Sequence, residues 1–530
     1  MKELISFLLL RESLFNPPRP TGTPPFKRRG IRATVLLFLL FSFSPFLLSP
    51  PCFAQKSKPK EAERRIVFNI KDYQDDKAFL VIHYKDKFLL KDSAVNNGKG
   101  VFVFENNEKL DDGMYSLISK KRVRLLDFIL DRNQKFTFNL DTTGNVLNFS
   151  VQNSSENAEM LRFQQKTVEA KKKMMDWDKK RTEFESRGKK DSADFYFELM
   201  KEMNREMELF ITDLIKRNPT YLFSKFQKSY REIEIPEPPV YPDGSIDSMF
   251  QIVYYRTHYW DNFDLTDRRF LFLPSYEPRL NNYFKKILWH LEADTINRYA
   301  DLMLEKTTSD SLMYRFLVEY LLREFELSKV PGHDAVFVHL ANTNVLAGKC
   351  KWIDEDLFKK YKMRIEDLEP LLIGKKSVEM ILPDTTQTDV FSKWISSYKM
   401  PKKYRILWFY EHTCPTCQKE AKVLKVVYDS LEKIGKLNFD VYAVNRTDDI
   451  ARWKKYIIDN GYTWINVGGG KGSVDWTKAY RISTYPQFYI INQDKTIILN
   501  REIDKNLIPL FLEEYEKQEA EKTRLKNKRQ

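Results

Sequence analysis

Cys414-Pro415-Thr416-Cys417 is the segment of this chain whose residue types and spacing can do chemistry. The apolar run Tyr404–Tyr410 precedes it and an amphipathic stretch, Pro415–Ile434, begins inside it. The spacing therefore predicts a buried strand handing over to a helix at the cysteines. Two intervening residues at a helix N-terminus let the sulfurs approach to disulfide distance. The first sulfur then lies among backbone N–H groups without intrahelical partners, at the positive end of the helix dipole. Negative charge is favoured there, and the thiolate is the nucleophile; in such motifs the first thiol falls to roughly 3.5–7 from about 8.5. Pro415 suits the first turn, where its missing N–H would be unpaired anyway. Cys417 lies inward along the helix, placed as the shielded resolving thiol. The chemistry expected is attack of the Cys414 thiolate on a disulfide, followed by displacement through Cys417.

Half of a zinc knuckle is the competing use of this spacing, but no second Cys/His pair stands nearby at zinc spacing, so neither a metal nor a cofactor is expected. The other cysteines are Cys52 and Cys350. Cys350 reads as a buried structural thiol ahead of a resolving partner. Too few cysteines follow residue 54 for a disulfide framework. His412 reads as an exposed loop residue ahead of a group that tunes the pair. The cluster Tyr255, His258, Tyr259, Trp260 and Asp261 reads as packed core with a satisfied histidine ahead of a groove lining.

The elements around the motif alternate. Phe439–Val444 reads as a strand, Ile450–Asn460 as a helix capped by Gly461, and Phe488–Ile491 with Thr496–Leu499 as a hairpin; Asp504–Gln518 closes the module. Upstream, residues 65–152 show short period-2 runs such as Ile66–Ile70, Phe79–Tyr84, Val101–Phe104 and Phe136–Leu140. Turn signals including Asn97-Gly98 and Asp112-Gly113 separate them, which predicts an antiparallel β domain with no catalytic cluster. Residues 155–372 carry helical spacing: long amphipathic helices over Ala158–Arg187 and Ser192–Arg217, and another over Ser311–Lys329. The fold class expected is multidomain α+β and α/β: an N-terminal antiparallel β domain, a central all-α domain (155–372) and a C-terminal α/β module (374–518), with a frayed charged tail at 519–530.

With 42% hydrophobic and 31% charged residues over 530 positions, neither a disordered chain nor a polytopic membrane protein fits. The net charge of +14 comes from interleaved Lys, Arg, Asp and Glu, a solvated surface and no nucleic-acid groove. At the front, Lys27, Arg28, Arg29 and Arg32 precede an apolar run from Val35 to Leu48 and a small-residue end at Cys52-Phe53-Ala54. That order is the layout of a secretory signal. Cleavage after Ala54 is expected ahead of a retained membrane anchor, and lipidation at Cys52 ranks below both; residues 1–54 are leader and signal. Met1–Phe26 is longer than a signal needs. The location expected is the periplasm or cell envelope, with membrane contact only through an uncleaved signal.

Strand, C-x-x-C, helix, strand, helix and then Thr484-Tyr485-Pro486 before a hairpin resembles the thioredoxin fold. The resemblance implies a C-terminal thioredoxin fold with a cis proline at Pro486 beside the cysteines, and Tyr485 backbone pairing with a substrate strand. Within that superfamily, Gly374–Asp384 and Cys417-Gln418-Lys419-Glu420 are more similar to exported TlpA/ResA-type thiol–disulfide oxidoreductases. That match makes Glu420 the candidate proton acceptor for Cys417. Departures accompany it: Trp408 stands where thioredoxin has a buried Asp, Thr413 where it has Trp, and Pro-Thr replaces Gly-Pro between the cysteines. Peroxiredoxin fits less well. The implied activity is thiol–disulfide exchange with disulfide-bearing exported proteins, as reductase or isomerase, drawing on a thiol electron donor at the inner membrane. A binding or assembly module with the thioredoxin-like part as scaffold is the reading from the other class.

Overall fold

The computed structural model describes residues 62–529 apart from 86, 385–392, 469–471 and 502. The signal layout, Ala54 and Cys52 lie outside the described residues. Among those described, no helix is long and apolar enough to cross a membrane. The chain divides into two compact units, Met1–Ile287 and Leu288–Gln530, so the helical stretch expected over 155–372 is shared between them.

The first unit opens with two four-stranded sheets. One has the order β4-β1-β7-β8, from Val101–Asn106, Arg64–Ile70, Lys135–Leu140 and Ser150–Gln152. The other has the order β3-β2-β5-β6, from Lys87–Val95, Lys77–Tyr84, Gly113–Ser119 and Arg124–Leu130. Alternate residues of both sheets turn inward into one apolar cluster, among them Phe68, Ile82, Phe104, Leu117, Phe128 and Phe138. Pairing is antiparallel throughout except between β1 and β7, which run parallel, a departure from the all-antiparallel expectation. Between these two strands the chain passes through the other sheet, and so β7 re-enters beside β1 in the same direction.

Helices α1 (Ser155–Ser186) and α2 (Lys190–Arg217) follow, with Ser154 capping α1 through the Asn157 amide. Shorter helices α3 (Leu222–Ser229), α4 (Phe250–His258) and α5 (Tyr276–Asn282) complete the unit. The aromatic cluster divides: Tyr259 and Trp260 are buried, while the half-exposed His258 bonds Asp261 through Nδ1 at 2.6 Å.

The second unit begins with α6 (Ala293–Thr307), α7 (Ser311–Glu326), α8 (His333–Leu340) and α9 (Glu355–Leu368). Cys350 is buried, as its surroundings predict. A small pair, β9 (Ile381–Pro383) and β10 (Trp394–Ser396), replaces most of the lead-in strand expected over Gly374–Asp384. The main sheet has the order β13-β12-β11-β14-β15, from Ile465–Gly468, Phe439–Asn445, Tyr404–Tyr410, Gln487–Asn492 and Ile497–Leu499. Strands β11, β12 and β13 run parallel; β14 is antiparallel to β11, and β15 is antiparallel to β14. The central β11 is buried on both faces, which is why its sequence is an unbroken apolar run. Its Ile406, Trp408 and Tyr410 face α10 (Pro415–Lys433), α11 (Ile450–Asn460) and α13 (Ile508–Arg529). Leu407 and Phe409 face the opposite layer, with β9 and α12 (Trp476–Ala479).

Two local details matter for the frame. Gly461 caps α11 at φ +62°, as its position predicts. The tail expected to fray after Gln518 continues as α13 to Arg529. No Gly or Pro interrupts it there, and helical-spacing pairs such as Lys522–Glu519 at 3.3 Å support it by a few tenths of a kcal/mol each.

Candidate functional site

The site is assembled where β11 ends. Tyr410 is its last residue, Glu411-His412-Thr413 turn the corner, and Cys414 is the N-cap of α10 with Pro415 in the first turn. The corner is tied down from both sides: the Cys414 amide donates to the Glu411 carbonyl at 3.1 Å, and Gln418 Nε2 donates to the His412 carbonyl at 2.8 Å. His412 is 5% exposed, so the loop residue expected at the surface is buried; its ring lies 6.0 Å from that of Tyr456, and neither ring nitrogen has a partner among the described residues.

The two thiols stand in opposite environments. Cys414 is half-buried at the surface and Cys417 is 0% exposed. The backbone amide of Cys417 holds the Cys414 thiol below its ordinary value, with help from the Cys417 thiol and the Thr416 amide and against burial and the Glu411 carboxylate. These are the unpaired N–H groups that begin a helix. Burial pushes Cys417 up to about 12, with a backbone hydrogen bond from Glu411 working the other way. Beneath Cys417 lies an aromatic floor: Trp408 stacks on Tyr410 at 4.4 Å, and Trp453 Nε1 donates to the Tyr410 hydroxyl at 2.8 Å. One dithiol thus holds an accessible sulfur favouring negative charge and a sealed sulfur resisting it.

The Tyr485–Pro486 peptide bond is cis, and Tyr485 packs with Cys414 against the same core. Its hydroxyl titrates above the ordinary range because it is desolvated, with the Cys417 and Glu411 charges adding to the shift and Arg446 opposing it. The structure therefore brings Cys414, Cys417, Tyr485 and Pro486 together. The Glu420 carboxylate pairs with the fully buried Lys505 at 3.5 Å. The carboxylate whose charge acts on both sulfurs is that of Glu411, a residue the sequence reading passed over; its place directly after the buried strand was the available signal.

In the β domain, His83, Ser116 and Asp127 meet, but not as a nucleophilic triad. The Ser116 hydroxyl donates to Asp127 Oδ1 at 2.5 Å and lies 3.3 Å from His83 Nε2, so the serine sits between its two partners. Ser116 is 0% exposed. Burial pushes Asp127 up to about 6 and His83 down to about 4, the behaviour of a sealed polar group. Among the described residues no group of His, Cys, Asp and Glu is arranged to hold a metal.

A family model described as Thioredoxin-like matches residues 402–497. Among solved structures, the chain is similar to a thioredoxin-like protein from Bacteroides caccae at 17% identity, covering 53% of this chain and 99% of that one, with a TM-score of 0.41. It is also similar to a domain of a possible thiol-disulfide isomerase from Cytophaga hutchinsonii at 33% identity, covering 28% and 97%, with a TM-score of 0.25. A third is the thioredoxin domain of a thiol-disulfide oxidoreductase from Bacteroides vulgatus, at 20% identity, 27% and 98% coverage and a TM-score of 0.24. Among curated proteins, nothing matches.

Proposed function

Residues 402–497 form a thioredoxin-like domain, and from that premise we propose that the chain is a thiol–disulfide oxidoreductase of the cell envelope acting through Cys414 and Cys417. The observation that carries this reading is the opposed environment of the two thiols, one accessible and stabilised as thiolate, the other sealed and held protonated. In the first step the Cys414 thiolate attacks a substrate disulfide; one substrate sulfur leaves as thiolate and the other stays bonded to Cys414. Cys417 then gives up its proton, its sulfur attacks Cys414 Sγ, and the second substrate thiolate departs. The substrate has gained two electrons and the Cys414–Cys417 pair has lost them. An external thiol donor, placed by this reading at the inner membrane, returns them.

The signal layout before residue 55 supports an exported location and exported substrates, and the Cys-Gln-Lys-Glu pattern supports a TlpA/ResA-like enzyme working as reductase or isomerase. The direct test is a trap. Cys417→Ala removes the resolving sulfur, so the purified chain, mixed with a disulfide peptide, should accumulate a mixed disulfide that mass spectrometry places on Cys414. If nothing accumulates there, the exchange mechanism is wrong and the thioredoxin-like domain is a scaffold.

A further inference from the structure

The second unit holds a cavity of about 540 Å³ that no step of the exchange uses. It is walled on one side by Thr484, Pro486 and Gln487 and on the other by α8 and α9 with the segment between α7 and α8. Thr484 and Pro486 flank Tyr485, which packs with Cys414. The cavity therefore adjoins the turn that packs with Cys414.

Its charges are not balanced. Lys329, Arg364, Arg481 and Arg501 face two acids, Asp334 and Asp367. Both acids are already engaged: Asp334 Oδ2 accepts from Asn500 Nδ2 at 2.6 Å, and Asp367 pairs with Arg481 at 3.0 Å. Arg364 leans toward Glu326 at 3.9 Å. Arg501 acts on Asp334 through its charge without closing to ion-pair distance, and Lys329 has no acidic partner within that distance among the described residues. Three further polar atoms of lining residues are buried and unpaired: Arg501 Nε, Gln487 Oε1 and Asn500 Oδ1. Buried polar atoms without partners are few in folded proteins, so the wall of this cavity is polar and under-satisfied as well as positively charged. The complement has to supply a negative charge to the cations. The cavity adjoins the turn that packs with Cys414, so the acidic side chain of an extended peptide held at that turn supplies it.

We propose that this cavity is a substrate subsite that takes an aspartate or glutamate flanking the disulfide of an extended polypeptide, with Arg501 and Lys329 reading the carboxylate. The proposal rests on the exchange reading for its substrate but is tested separately from it. Two labelled peptides, identical except for glutamate or lysine on both flanks of a central serine, are titrated against the full chain by fluorescence polarisation. The glutamate peptide should bind at least about tenfold tighter, the worth of one charge-assisted contact, with the ratio shrinking at high salt. Arg501→Gln with Lys329→Gln should bring the ratio to about twofold or less. Should the double variant not fold, Lys329→Gln alone, at an exposed position, should still lower it. Equal binding of the two peptides, or a ratio the substitutions leave in place, overturns the subsite. Exchange with hydroxyethyl disulfide, a small neutral substrate, is measured alongside. Exchange without charge preference refutes the subsite and keeps the redox reading; charge preference without exchange refutes the redox reading and keeps a peptide-binding cavity.

Discussion

Alkylation of the reduced chain by iodoacetamide puts the thiol asymmetry on a numerical footing. Burial sets Cys350 at about 11 and Cys417 at about 12, while Cys414 lies below its ordinary 9.0. At pH 7 a thiol at 9 is about 1% thiolate, against about 0.01% at 11 and about 0.001% at 12. Thiolates of higher pKa are intrinsically better nucleophiles, with a Brønsted slope of roughly 0.4–0.5, which returns about tenfold to Cys350 and about 30-fold to Cys417. Cys414 should then react at least about 10 times faster than Cys350 and about 30 times faster than Cys417. Both are floors, because Cys417 is 0% and Cys350 6% exposed. Peptide-resolved mass spectrometry over a time course reads all three sites in one sample. As pH rises, the Cys414 rate should climb and level off before the other two begin to climb. A Cys414 rate that titrates at or above 9, or equal labelling of Cys417, would refute the argument that helix amides stabilise the first sulfur.

Three further outcomes follow from the geometry. Glu411 raises both thiols through its charge, so Glu411→Gln should speed Cys414 alkylation at pH 7 by about two- to threefold, whereas Glu420→Gln, which loosens the Lys505 pair, should leave that rate where it was. The Glu156 carboxyl, buried while accepting the Phe223 amide at 2.7 Å, is pushed up to about 7 by desolvation. The folded state holds a proton there that the unfolded chain releases above about 4.5, so this group's contribution is intact at low pH and lost as pH rises toward 7. Urea unfolding should show Glu156→Gln more stable than the parent by about 3 kcal/mol at pH 8 and little different at pH 4. Arg405, 0% exposed, bonds Asp440 through two nitrogens at 2.6 and 2.7 Å and the carbonyls of Ser397 and Lys399 at 2.8 Å. Asp440→Ala strands that charge and should lower stability by about 3–5 kcal/mol in the same measurement.

What the sequence made legible follows from how local each signal is. β11 and α10 could be read because burial on both faces makes a strand uniformly apolar and a motif at a helix start is contiguous. Gly461 was readable as a cap because positive φ is a single-residue requirement. β3 was missed: it pairs on one side only and exposes Phe88, Leu89 and Leu90, so no alternation survives in its sequence. The parallel β1–β7 pairing joins segments about 70 residues apart and leaves no local mark. His412 resembles any loop histidine, and its burial beside Tyr456, about 40 residues on, leaves no local mark. The spacing of Glu420 from Cys417 is a local signal, but its partner Lys505 comes from the far end of the domain and leaves no mark near it. The cavity beyond Pro486 is invisible for the same reason, since Lys329 and Arg501 come from opposite ends of the second unit.

The aromatic floor bears on which exchange reaction this site favours. A carboxylate at position 408 would stand ready to take the Cys417 proton; Trp408, stacked on Tyr410, supplies a neutral, desolvating surface instead. In a mixed disulfide the Cys414 charge that adds to the Cys417 shift is gone, but desolvation, its largest cause, remains and slows loss of the Cys417 proton. A substrate held at Cys414 by one of its own sulfurs keeps any second thiol it carries at high effective concentration. That thiol, at an ordinary pKa near 8.5, has a few per cent of its population as thiolate, while desolvation keeps Cys417 protonated. Even after the nucleophilicity correction it competes well for the mixed disulfide. Its attack returns Cys414 reduced and leaves the substrate with a rearranged bond and no net change in electrons. Trp408→Asp, by giving Cys417 a local base, should favour its attack over that of the substrate thiol: with a scrambled-disulfide substrate, the ratio of reduced to re-paired product should rise.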